Sequence, residues 1–112
     1  EIHDEWMMNV SHGPYILASA LPHILGKKTD QELSQLQTVS AGGFRDTTRV
    51  SNSALEWGLD VLKGNKTNAI AFINHITESL ENLKSHLEDD NDKKLNEWLS
   101  LAKDTRSKVA KK

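Results

Sequence analysis

The densest chemistry in the chain lies in Ser40-Ala41-Gly42-Gly43-Phe44-Arg45-Asp46-Thr47-Thr48-Arg49. A glycine pair is followed by an aromatic ring, two arginines, an acid and two hydroxyls. Glycine lets a backbone turn sharply or approach a ligand closely. Arginine is the side chain best shaped to grip a carboxylate with two parallel hydrogen bonds. The segment reads as a wall for an anionic ligand. The competing reading is a loop whose arginines face water, and spacing alone does not separate the two.

A second polar group lies upstream. His12 and Tyr15 are three apart and Ser11 and Tyr15 four apart, so on a helix all three share one side. An imidazole can donate to a carboxylate or change protonation near neutral pH. If the adjacent Gly13-Pro14 starts a new helix, the amides after it are free to meet an anion. If the helix only kinks there, fewer donors are open. The bland alternative is a capping or surface cluster. Spacing argues against metal: His3 and His12 do not share a turn, and Asp89-Asp90-Asn91-Asp92 lacks the glycine and distant glutamate of a calcium loop. His23, His75 and His86 read as isolated helix residues. Trp6, Trp57 and Trp98 read as core, with Trp57 also placed to line a pocket. Neither a Gly-x-Gly-x-x-Gly, a P-loop nor a nucleophile elbow is present.

The elements that must position these residues are helical, because no segment has a convincing period of two. A first helix is expected from about Ile2 into the Leu25 region, interrupted at Gly13-Pro14 and capped by Gly26. Thr29 or Asp30 should cap a short helix through Leu33 and Leu36. Ser51 or Ser53 should cap another, carrying Leu55, Leu59 and Leu62 and ended by Gly64. Ala69, Ile73, Ile76, Leu80, Leu83 and Leu87 then recur at steps of four and three, a heptad stripe facing one partner. The stripe suits an internal core, and its length also suits a subunit interface. The acids at 89–92 end that helix and cap a last one, where Leu95, Trp98, Leu99, Ala102 and Val109 share a face. The last two helices should form an antiparallel hairpin.

Composition narrows the class. The 112 residues suffice for one domain with a modest core. A net charge of −2 without a basic stripe gives no reason to expect nucleic acid. The basic end, Arg106 to Lys112, reads as the cationic last turn of a helix. The absence of cysteine removes disulfides and thiolate nucleophiles, and fits a reducing compartment. No apolar run spans a bilayer, so no membrane partner is expected, and no signal peptide is visible. The start at Glu1-Ile2-His3, without methionine, reads as a segment cut from a longer protein.

Taken together, His3-Asp4, Ser11-His12-Gly13-Pro14 and the Ser40 to Arg49 block resemble, in order and approximate spacing, the C-terminal helical domain of prephenate dehydrogenase. The resemblance extends weakly over the whole chain, so residues 1–112 are expected to be that domain. It implies an all-α fold, a helical bundle like the C-terminal domain of 6-phosphogluconate dehydrogenase, forming an intertwined dimer. The family's N-terminal dinucleotide-binding domain is absent from this chain, and with it the glycine fingerprint and the catalytic histidine. The implied enzyme is a cytoplasmic oxidoreductase of tyrosine biosynthesis, converting prephenate and NAD to 4-hydroxyphenylpyruvate by oxidative decarboxylation. NAD would be bound mainly by the missing domain. The partners implied are prephenate, a second copy of the chain, and L-tyrosine as a feedback inhibitor.

Residue by residue, the resemblance assigns Arg49 to a substrate carboxylate and Asp46 to orienting its neighbours. Ser11 and His12 match polar residues facing the substrate, and Gly43 belongs to the matched substrate block. Tyr15 stands where the family often has a second histidine; it can donate a hydrogen bond but cannot carry positive charge. The stretch from Val50 to Trp57 is about one residue shorter than the family pattern. The segment supplies neither a catalytic residue nor a metal ligand, and is expected to be inactive alone. Two other readings remain: an arogenate dehydrogenase domain, where an amino group replaces the substrate's keto group, and a non-enzymatic helical module using the Ala69 to Leu87 stripe.

Overall fold

Each periodic apolar segment becomes a helix in the computed structural model, which describes residues 2–111. Helix α1 (Ile2–Met7) runs through a π-helical turn (Met8–His12) into α2 (Gly13–Leu25). Then come α3 (Asp30–Val39), α4 (Gly42–Thr48), a 3-10 turn (Arg49–Asn52), α5 (Leu55–Gly64), α6 (Lys66–Glu88) and α7 (Asp92–Val109). The fold is all-α, with no strand among the described residues.

Gly13-Pro14 widens the first helix and does not restart it. The Gly13 N–H donates to the Met8 carbonyl five residues back, and the backbone stays helical at His12 and Gly13. Proline has no N–H, and its ring strikes the carbonyl four residues back in an α-helix. A π turn relieves both problems. No new helix N-terminus therefore opens at Pro14. Pro22 also lies inside α2, where it forgoes a bond to the Ala18 carbonyl.

Local caps set the other boundaries. Thr29 caps α3 through a reciprocal box: its hydroxyl accepts from the Glu32 N–H at 3.2 Å, and Glu32 Oε1 accepts from the Thr29 N–H at 3.2 Å. Hydrogen bonds from the Thr29 backbone and hydroxyl hold the Glu32 carboxyl below its usual range, with nearby Lys28 adding to the effect. Ser51 and Ser53 do not cap α5; Ala54 holds that position without a side-chain bond. Their hydroxyls donate to the Thr48 and Val50 carbonyls at 2.6 and 2.7 Å, because the 3-10 turn puts those carbonyls within nearer reach. Helix α6 ends in a Schellman arrangement. Asp90 takes a left-handed φ of 51° and donates to Leu87, while Asn91 donates to His86. Asn91 then caps α7 by accepting from the Lys94 N–H at 3.0 Å. Arg106 and Lys108 occupy the last turn of α7 and Lys111 lies beyond it; Glu1 and Lys112 lie outside the described residues.

The chain clusters into two units, Glu1–Phe72 and Ile73–Lys112. In the first, α2 packs on α4 and on the 3-10 turn. Small residues make the close approaches. A Cβ at Gly13 would fall 2.5 Å from both the Met8 carbonyl and the Phe72 ring. The buried apolar side chains are Met8, Ala18 and Ala69. The tryptophans are not core: Trp6 is 64% exposed, Trp57 is exposed and Trp98 is half-buried. Of the heptad stripe only Ala69 is buried; Ile73, Leu80 and Leu87 are exposed and Ile76 and Leu83 half-buried, so most of the stripe is not internal core.

Candidate functional site

The glycine-to-arginine block folds as a short helix, not as a loop. Neither glycine has a positive φ, so neither is there to make a turn. A Cβ on Gly43 would meet nothing within 4 Å, whereas one on Gly42 would meet Arg45 Nη2 at 3.6 Å. One face of α4 is anchored by Thr48, which is buried and donates its hydroxyl to the Phe44 carbonyl at 2.6 Å. The arginines and Asp46 are left outside. Arg49 Nη2 donates to Asp46 Oδ1 at 2.7 Å, and Arg45 Nε lies 3.8 Å from the same oxygen. All three side chains are well exposed. Two guanidiniums around one carboxylate leave one positive charge in excess, and Arg49 retains donors that Asp46 does not use.

The upstream group divides. Ser11 and His12 sit at the end of the π turn, both half-buried. The Nδ1 atom of His12 is enclosed and has no hydrogen-bond partner. Tyr15, one turn on, rests against α5. Its ring meets Trp57 edge-on, with centroids 5.0 Å apart at 78°, and its hydroxyl abuts the space above Gly58. Sequence reading missed this seat. Its signal was a glycine beside a tryptophan within a helical pattern, which marks a close approach. Because α2 packs on α4 and the 3-10 turn, the helix that carries Tyr15 lies beside the elements that carry Asp46 and Arg49.

A feature the sequence did not announce is an apolar pocket of about 400 Å³ between the end of α2, α3 and the start of α4. Leu25, Leu33, Leu36, Val39 and Phe44 line it. Its walls do not suit a carboxylate. Among the described residues no group of three histidines or acids is placed to hold a metal ion. No described helix is long and apolar enough to cross a membrane.

The chain as a whole is similar to known proteins. The family described as prephenate dehydrogenase, dimerization domain, matches residues 1–101. The chain is 27% identical over 106 residues to prephenate dehydrogenase from Bacillus subtilis (strain 168), a match covering 95% of this chain and 28% of that protein. In structure it is similar to Synechocystis arogenate dehydrogenase, with a TM-score of 0.87 and 24% identity, over 96% of this chain and 39% of that one. At that identity the likeness concerns the fold. The chain spans well under half the length of either relative.

Proposed function

The chain belongs to the family of prephenate dehydrogenase dimerization domains, and from that premise we propose that it is the substrate-binding and dimerisation part of a prephenate dehydrogenase. The whole enzyme would oxidatively decarboxylate prephenate to 4-hydroxyphenylpyruvate with NAD, in tyrosine biosynthesis. The observation that carries this reading is the Arg45–Asp46–Arg49 cluster, whose excess positive charge stands on α4 and the 3-10 turn beside α2. Prephenate bears two carboxylates. Asp46 holds one nitrogen of Arg49, which limits the side chain's freedom before a ligand arrives. Ser11 and His12 supply further polar contacts, Tyr15 a neutral hydroxyl, and Gly43 an exposed position where a Cβ would meet nothing within 4 Å among the described residues.

NAD supplies the hydride acceptor when bound. The described residues do not fit it: they include no strand and no glycine-rich strand-to-helix turn for a pyrophosphate. Its binding is assigned to the dinucleotide domain that the family resemblance implies. Homodimer formation is supported by the family match and by the exposed apolar residues of α6 and α7. Feedback inhibition by L-tyrosine would act on the whole enzyme.

Arogenate is the second reading, favoured by Tyr15, because a phenol does not repel a substrate ammonium as an imidazolium does. The test is NADH production by the full-length enzyme with each substrate. The expected result is a kcat/KM for prephenate at least tenfold above that for arogenate. Preference for arogenate would establish the second reading, and turnover of neither would leave only the helical interaction module. The isolated chain should produce no NADH.

A further inference from the structure

We infer that Gly13 and Pro14 are positioning residues: together they hold the π-helical turn Met8–His12, and this turn presents His12 to the substrate face through its Nε2–H. In a regular α-helix the Gly13 N–H would bond to Asn9, and the ring of Pro14 would press on the Val10 carbonyl. The observed bond runs instead from Gly13 to Met8. Pro14 thus disfavours the α register, and Gly13 admits the wider one. A Cβ on residue 13 would lie 2.5 Å from the Met8 carbonyl and 2.5 Å from the Phe72 ring, so only glycine seats the turn against α6. One extra residue in a turn rotates the helix before it by roughly 100° relative to the helix after it. The side chains of Ser11 and His12 leave the helix at that step.

The state of the His12 ring is set by its surroundings. Nδ1 is enclosed without a partner, while the residue as a whole is only half-buried, so the open part of the ring lies elsewhere. A neutral imidazole carries one N–H. A proton on Nδ1 would be a buried orphan donor, the rarer kind of unpaired group. A proton on Nε2 leaves only a lone pair enclosed and points a donor outward, where a carboxylate or hydroxyl can accept it. Widened turns of this kind gather at functional sites.

The positioning role rests in part on the proposed prephenate site, and two measurements separate them. The first is independent of substrate: long-range proton–nitrogen correlation spectra of the chain with labelled histidines, with His12 assigned through His12→Gln. The Nε2–H tautomer is expected at His12. A ring proton on Nδ1 overturns the inference, whatever any variant does. The second uses the full-length enzyme with exposed Asn9 deleted and Pro14→Ala added, which restores α register while keeping the faces of α1 and α2. The KM for prephenate should rise about tenfold or more. Adding His12→Gln to that variant should raise it no further, because the turn acts through His12. A folded variant with unchanged KM and an unchanged His12 spectrum overturns the positioning role. If His12→Gln alone leaves KM within twofold, the substrate-face assignment of His12 is overturned, and with it the kinetic half of this inference.

Discussion

Arg49→Ala should separate ligand binding from stability, and the geometry of the Arg49–Asp46 pair sets the stability magnitude. Arg49 is 70% exposed and its Asp46 partner 61% exposed, so their 2.7 Å contact is a surface ion pair. Such pairs are typically worth about 0.2–1 kcal/mol. Losing this one should lower Tm by no more than roughly 4–8 °C in a chain of this size. A charge-assisted contact to a substrate carboxylate in a partly closed site is worth about 1.5–3 kcal/mol, or roughly ten- to a hundredfold in affinity. The expected result is therefore a large rise in the KM for prephenate, near-wild-type thermal unfolding and unchanged NAD binding. Arg45→Ala is the control: its nitrogen is 3.8 Å from the same carboxylate oxygen, and the effect on KM should be small. Arg49→Lys should rescue only partly, since an ammonium cannot reproduce the two-pronged geometry. Steady-state kinetics on the full-length enzyme, with differential scanning of each variant, decides the matter. If Arg49→Ala leaves KM within twofold while Arg45→Ala abolishes binding, the two roles must be exchanged. If both leave KM unchanged, this face is not the carboxylate site.

The isolated chain should sediment as a dimer at micromolar concentration. It exposes 9297 Å², against about 6,200 Å² expected for a folded chain of its mass, or about 7,400 Å² for two separate domains of its units' sizes. The excess is on the scale of obligate dimer interfaces, and a monomer in the centrifuge would refute the argument. Two glycines should respond oppositely to alanine in chemical denaturation. Gly43→Ala meets only open space and should be neutral or stabilising by up to about 1 kcal/mol. Gly13→Ala meets a backbone carbonyl and the Phe72 ring and should cost about 1–3 kcal/mol; equal effects would refute the packing described. The cap of α3 should be sensitive to acid. The folded pKa of Glu32 is lowered, so its contribution is present above the ordinary carboxylate range and is lost as pH falls through the folded value. Protection of the Thr29 and Glu32 amides, measured against their intrinsic exchange rates, should fall below that range, and Glu32→Gln should remove most of the dependence.

Local chemistry was legible along the chain because it acts between near neighbours. Thr29 with Glu32, Asn91 before α7 and Gly26 after α2 settle helix ends within four residues, so composition at those points sufficed. The period of the Ala69 to Leu87 stripe announced α6 for the same reason. The pattern could not say what the stripe faces. An apolar face is written the same way whether its own chain or a second chain covers it, and the structure adds that Ile73, Leu80 and Leu87 are exposed. Gly13-Pro14 allowed either a restart or a kink; the contact between Gly13 and Phe72, far along the chain, accompanies a third solution, the π turn. Tyr15 reads as a polar tip beside Ser11 and His12, yet its ring is seated by Trp57 and Gly58 of another helix. The two arginines of α4 and the adjoining 3-10 turn are equivalent in composition. Helical geometry gives the short bond to Arg49, because residues three apart on a helix face each other and sequence neighbours do not.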